Sequence, residues 1–321
     1  MKKMILVLLV SVLFSSLAFA GGANEAVSGQ HDLIFGTAGT SGTYYVVGAA
    51  MGAAINKNSD SVNVIVQPTK GSMENLNLAN TGDIQLGLSN SDGVYWAATG
   101  TGTYAKSGKL NIKAVMNLYR SQGQMVALKN SGIKTYGDLR GKKVNLGPSG
   151  QTVVEASKAV LRAYGIDPEK DITPFYLAVD EGLGKLKDGE IDASFFMAAA
   201  PTAGVVNIAA TTAIQMVDID KEIIEKVSEQ YPFYAIGIIP AGTYKGQDTD
   251  IYVTEMVTEL FANADVPEGA IYEFVKQAIE TQPQYVDAHV SIEEINGKFA
   301  SEVVTELHPG ALKYYKEKGY L

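Results

Sequence analysis

A strand, a turn crowded with glycine and hydroxyl side chains, and a helix occur twice in this chain about a hundred residues apart, and that repetition restricts the fold more than any other feature. Leu33 to Thr37 predicts a short buried strand, followed by the turn Gly36 to Thr43 (GTAGTSGT). Tyr44, Val47, Met51, Ala54 and Ile55 then recur at three- and four-residue steps, which is one face of a helix starting at Thr43 or Tyr44. Val62 to Val66 predicts a second strand, Gly71-Ser72 a helix N-cap, Met73 to Asn80 a short helix, and Ile84 to Leu88 a third strand. The second copy runs from a strand at Lys143 to Leu146 through the turn Gly147 to Thr152 (GPSGQT). Its helix face is Val153, Ser157, Val160 and Tyr164, with Gly165 at the C′ position. Leu186 to Ala193 (LKDGEIDA) repeats the form of Leu78 to Gln85 (LANTGDIQ). Gly42 and Gly82 lie 40 positions apart, Gly150 and Gly189 39.

Each copy reads as a βαβ lobe with a parallel sheet, and 321 residues exceed what one hydrophobic core usually holds. The expected organisation is a first lobe over 31–128, a second over 129–253, and a return to the first over 254–321, with crossings near 119–131 and 250–260. Loops at the carboxyl ends of parallel strands line the open edge, so the cleft between the lobes is the expected site.

Composition narrows what such a cleft holds. A formal charge of -9 disfavours nucleic acid, whose phosphates need a basic surface. No cysteine is present, which removes thiol nucleophiles, disulfides and cysteine zinc sites; only His31, His289 and His308 remain for metal or proton chemistry. Neither Ser41 nor Ser149 sits in a G-x-S-x-G elbow, and no H-E-x-x-H occurs, so neither a catalytic residue nor a metal or cofactor is expected. The pairs Asp180-Glu181 and Glu293-Glu294 read as solvated surface. Lys2-Lys3, an apolar stretch and Ala18-Phe19-Ala20 predict a signal peptide over 1–20, cleaved after Ala20, and a periplasmic product.

Candidate ligand groups follow from the loops. Backbone N–H groups at a helix start, with hydroxyls of Thr40, Ser41 and Thr43 beside them, suit a carboxylate or phosphate; the same loop also fits an ordinary capped turn. Its spacing is neither a P-loop nor G-x-G-x-x-G, against a nucleotide. Gln67 to Ser72 forms another loop on that edge, where Lys70 could meet an anion or water. Asn90, Ser91 and Asp92 are read as ending the third strand, where an amide or carboxylate could face the cleft. Of Phe195 and Phe196, one ring belongs to the core and the other could line the pocket. Arg120, near the first crossing, reads as surface.

Five elements in order resemble a known family: Gly36 to Tyr45, Gly71 to Asn75 (GSMEN), Asp138 to Val144 (DLRGKKV), Ile239 to Gly246 (IPAGTYKG) and Leu307 to Ala311 (LHPGA). Together they are similar to the TAXI family, solute-binding subunits of tripartite ATP-independent periplasmic (TRAP) transporters. The resemblance implies a two-lobe type II periplasmic-binding-protein fold, α/β with mixed, mainly parallel sheets joined by a hinge. It further implies a monomer that binds glutamate or a related carboxylate and delivers it to the membrane permease subunits. Carried over by position, Thr40, Ser41, Gly42, Thr43 and Tyr44 form the first cradle, Gln67 and Ser72 add donors, and Asn90, Ser91 and Asp92 lie at the strand edge. Gly150, Gln151 and Thr152 serve the second lobe, with Phe196 on the wall. Two positions depart from the family: Gln151 stands in a second loop that commonly reads Ser-Gly-Thr-Glu, and Gln67 stands where relatives can carry arginine. The rival readings are a sensor subunit of the same fold and a secreted hydrolase using Ser41 or Ser149.

Overall fold

The computed structural model describes residues 30–149, 151–231, 233–303 and 305–321; the expected signal peptide and Gly150 lie outside these residues. The first copy of the repeated unit is β1 (His31–Gly36), α1 (Thr43–Asn58), β2 (Val62–Gln67), α2 (Ser72–Thr81), β3 (Leu86–Asn90) and α3 (Ser91–Thr99), followed by the long strand β4 (Ile112–Leu128). The second is β5 (Lys143–Asn145), α4 (Thr152–Ala163), β6 (Thr173–Phe175), α5 (Val179–Lys187), β7 (Ala193–Ala198) and α6 (Ala203–Thr211). Next come β8 (Ile214–Met216), α7 (Lys221–Gln230), β9 (Ala235–Ile239) and the long β10 (Ile251–Asn263). The described chain ends with α8 (Glu268–Glu280), α9 (Gly297–Ser301) and α10 (Pro309–Lys318).

The strands pair in the order β2-β1-β3-β10-β4-β7-β5-β6, with β8 on β4 and β9 on β10. β1 is parallel to β2 and β3, and β5 to β6 and β7, because a helix crosses over between each pair. At the centre β4 and β10 are antiparallel, since the chain runs out along one and back along the other. β10 pairs with β9 through Ile251–Glu255 and with β3 through Thr258–Ala262. β4 turns to β7 and β8 only from Gln122 onward. The result is a mixed α/β fold of two lobes.

Each lobe has its own apolar core. Leu33, Phe35, Val47 and Met51 pack with Phe274 of α8 and Tyr314 of α10 in the first. Val144, Val160, Leu161 and Phe195 pack together in the second. β4 gives Val115, Met116, Leu118 and Tyr119 to the first core and Met125 and Ala127 to the second. Full burial of each such side chain stabilises by roughly 1.5 to 3 kcal/mol, so the strand is anchored at both ends. Between the anchored ends, Ser121 Oγ and Thr258 Oγ1 meet at 2.8 Å in a fully buried contact, and the register shifts between Thr258 and Glu259 and again between Leu260 and Phe261.

The turn signals fold as the repeat suggests: α2 stops at Gly82 (φ 82°), and after α5 Gly189 takes φ 75°. One cap is different. Gly71, with φ 105° and ψ -154°, is the N-cap of α2, and Ser72 is already helical, since only glycine adopts that backbone readily. At the other end of this helix–strand unit, Gly87 of β3 has no room for a side chain: a Cβ there would stand 2.6 Å from Phe261 Cζ and 3.1 Å from Asn75 Cβ. Gly87→Val should therefore lower stability by about 1 to 3 kcal/mol through overpacking, read as a lower urea midpoint with an unchanged slope.

Candidate functional site

Two asparagines place the loops. Asn75 of α2, fully buried, donates from Nδ2 to the carbonyls of Thr37 (2.7 Å) and Leu88 (2.8 Å), tying the ends of β1 and β3 together. Its Oδ1 lies 2.8 Å from the Thr69 hydroxyl, whose single proton is shared between that oxygen and Thr37 O and whose oxygen accepts the N–H of Gly71. In the second lobe Asn145 donates to Ser194 Oγ (3.0 Å) and Leu177 O (3.3 Å) and accepts from the Leu177 N–H (2.8 Å). Buried amides with every group paired fix a loop far more strictly than apolar contact does.

The loops so held enclose a cavity of about 190 Å³ between the lobes. Ser41 to Tyr44, Thr69 to Ser72 and Asn90 line it from the first lobe; Pro148, Gln151, Val153, Leu177 to Asp180, Phe196 to Ala198 and Thr202 line it from the second. The starts of α1, α2 and α5 all reach this space. Gly42, the N-cap of α1, offers no side chain to the first N–H groups, and no acidic residue occupies that first turn. Such a terminus attracts negative charge. Tyr44, 8% exposed, donates from its hydroxyl to Asn90 Oδ1 (3.0 Å) and lies 3.4 Å from Ser72 Oγ. Burial holds its phenol well above the ordinary value, so it stays a neutral donor.

Polar contacts cross the cleft. The Ser41 hydroxyl donates to Asp180 Oδ1, Thr43 Oγ1 donates to Ala199 O (3.1 Å), and Gln151 Oε1 accepts the N–H of Met73 (2.7 Å). The last contact caps α2 from the opposite lobe, satisfying one of its orphan donors. Along the same face, the rings of Tyr95 and Trp96 on α3 approach Phe233 at centroid distances of 5.3 and 6.4 Å.

Of the residues read from the sequence, the cavity brings together Ser41, Gly42, Thr43, Tyr44, Ser72, Asn90, Gln151 and Phe196. Thr40 and Gln67 are exposed and do not line it; Gln67 instead lends its carbonyl to the N–H and hydroxyl of Thr37, each at 3.0 Å. Asn90 ends β3, but Ser91 and Asp92 form the first turn of α3 and are buried away from the cavity. Asparagine at the N-cap and aspartate two residues later announce a helix start, and this signal outweighs the strand-end reading. Thr152 opens α4, 1% exposed, with Cγ2 3.3 Å from where a Cβ of Gly93 would stand. Phe195 packs in the core beside Tyr136, and Arg120 pairs with Glu294 (2.6 Å) and Glu255 (3.6 Å). Asp180, read as solvated surface, lines the cavity, as does Lys70.

The histidines are committed elsewhere. His289 Nε2 contacts Pro201 O and His308 Nε2 contacts Val266 O, each at 3.0 Å, and His31 begins β1. Ser41 is bonded to a carboxylate and Ser149 is exposed, so no Ser-His-Asp arrangement forms among the described residues. Tyr244, within the Ile239 to Gly246 element, donates to Gln124 Oε1 (2.5 Å) and accepts the N–H of Thr202 (2.8 Å), holding the cavity floor.

This is the two-lobe fold of periplasmic binding proteins, with a small chamber at the junction. A family model described as the NMT1-like family matches residues 35–319, and the chain belongs to that family. Its fold is similar to that of the periplasmic aliphatic sulphonate binding protein SsuA from Escherichia coli, at 15% identity over 90% of this chain and 79% of that one, with a TM-score of 0.51. It is similar also to the alkanesulfonate-binding protein SsuA from Xanthomonas axonopodis pv. citri bound to MOPS (13%, 89% and 83%, 0.53) and to a protein from Bordetella bronchiseptica RB50 (14%, 91% and 90%, 0.55).

Beside the chamber, Asp92 is 1% exposed; its Oδ1 accepts the Gly93 N–H at 2.6 Å, and no hydrogen bond reaches Oδ2 among the described residues. Loss of hydration raises its carboxyl from 3.8 to about 7, and the Thr152 hydroxyl and nearby N–H groups offset only part of that. Below the unfolded value both states hold the proton and no penalty arises. The penalty grows as pH rises through the interval from 3.8 to about 7 and is complete above it. At about 1.4 kcal/mol per unit, it is on the order of 4 kcal/mol. Asp92→Asn should raise the melting temperature at pH 8 and leave it nearly unchanged at pH 4; an equal gain at both would exclude ionisation as the cause.

Proposed function

We propose that the chain is an extracytoplasmic solute-binding protein that captures a small carboxylate or amino acid, glutamate foremost, and hands it to an ion-gradient-driven TRAP permease. The observation that carries this reading is the chamber of about 190 Å³ walled by helix starts from both lobes. It is smaller than the roughly 300 to 1,000 Å³ of drug-sized pockets, in keeping with a metabolite of amino-acid size. Oriented N–H groups and hydroxyls suit an organic anion, and the apolar walls of Leu177, Val179 and Phe196 suit a short carbon chain. The amino-terminal segment and the five TAXI-like elements support export to the periplasm and a TRAP partner. The SsuA proteins, which bind sulphonates in the same fold, favour an anionic ligand of this general kind.

The hinge in this proposal is the middle of β4 and β10, near Arg120–Gln122 and Glu255–Thr258, where each strand passes from one set of partners to the other. Ligand contacts divided between lobes are all made only when the cleft is shut. Binding then shifts the open–closed equilibrium by the difference in affinity between the two states. The shut surface, with the cross-lobe contacts of Gln151 and Asp180 complete, is what a permease can distinguish from the open one.

The test is calorimetric titration with L-glutamate, beside a thermal-shift panel of amino acids and dicarboxylates. Gly42→Val places a branched side chain at the cavity wall while keeping a backbone, φ -87° and ψ 154°, that valine tolerates. The variant should bind at least tenfold more weakly, about 1.4 kcal/mol, with the unliganded melting temperature kept. Unaltered affinity would remove the α1 cradle from the site, and a panel without any stabilising compound would remove the ligand class.

A further inference from the structure

Two side chains of opposite charge border the chamber, Lys70 from the first lobe and Asp180 from the second. Neither has an ion-pair partner among the described residues, whereas Arg120 at the crossing has two. Asp180 takes a hydrogen bond from the Ser41 hydroxyl to Oδ1 and has acceptor capacity left on Oδ2. Lys70 lies just ahead of the N-cap Gly71, where the α2 dipole repels a cation and the Glu74 carboxylate of the first turn, which accepts the Lys70 N–H, offsets part of that. An anion brought to the starts of α1 and α2 reverses that sign, and a cation on the same molecule meets Asp180 across the cleft.

We infer that Asp180 is a specificity-determining residue that receives the ammonium group of the ligand, making the preferred solute an α-amino acid and not the corresponding simple dicarboxylate. This rests on the reading that the chamber takes a small carboxylate. The carboxylate end goes to the N–H groups of α1 and to Lys70, and the ammonium end to Asp180. Ser41 keeps the Asp180 carboxylate turned toward the chamber. A dicarboxylate without the amino group offers Asp180 no cation to offset the repulsion between its carboxylate and those of the ligand, so discrimination comes from repulsion left uncompensated as well as from attraction lost.

L-glutamate and glutarate differ only in that amino group and are the probes. Isothermal titration of the full mature chain should give at least tenfold tighter binding of L-glutamate. In Asp180→Asn the two should come within about twofold, with glutarate bound no more weakly than by the unaltered protein. Equal affinities in the unaltered protein overturn the assignment while sparing the carboxylate reading. An equal loss for both acids in Asp180→Asn also overturns it, because Asp180 would then serve only to hold the lobes together. No binding of either acid, with a negative thermal-shift panel, overturns the carboxylate reading and this assignment with it. Unliganded melting temperatures within a degree or two of each other establish that the exposed substitution leaves the fold intact.

Discussion

The antiparallel ladder between β4 and β10 is the constraint on which the rest of the molecule depends. Both strands continue through two separate cores, so the lobes share a backbone hydrogen-bond network as well as a surface. A joint of this kind resists sliding, because slipping by one residue would exchange the two buried faces of β4 and mismatch the packing on each. It bends most readily where pairing is already irregular, at the two register shifts of β10. In the hinge motion proposed above, the placement of the groups in the chamber would follow one angle, and the cross-lobe contacts of Ser41, Thr43 and Gln151 would be the stops that define its closed value.

Loop shape is imposed from below. Asn75 and Asn145 take carbonyl and N–H groups from neighbouring strands and leave no alternative pairing, and Gly87 lets the Phe261 ring close against the strand beneath Asn75. The groups that line the chamber can then be small: hydroxyls, glycine backbone and a few side chains at helix starts. Rigidity lies in the second layer and chemistry in the first.

Much of this was legible in the sequence, for a physical reason. The repeated strand, Gly-rich turn and helix is a local pattern, set by periodicity and backbone freedom, so it predicts both copies. What depends on long-range placement was not legible. Asp180 in the first turn of a helix looks like any residue complementing a dipole, and only the docking of the opposite lobe puts Ser41 against it. Asn75 bonds groups 38 and 13 positions away, which no spacing rule anticipates. The α3 start at Asn90 was written in the chain, yet the preceding strand pattern masked it, and with it the burial of Asp92.

The aromatic contact at the edge of the cleft has a consequence of its own. Trp96 is the only tryptophan in the chain, and its ring sits on the first lobe edge-on to Phe233 of the second. In the opening proposed above, the indole would lose that neighbour to solvent, and the colour of its emission would follow the gap between the lobes. That motion would give the molecule an intrinsic optical gauge of its own opening, readable without a dye.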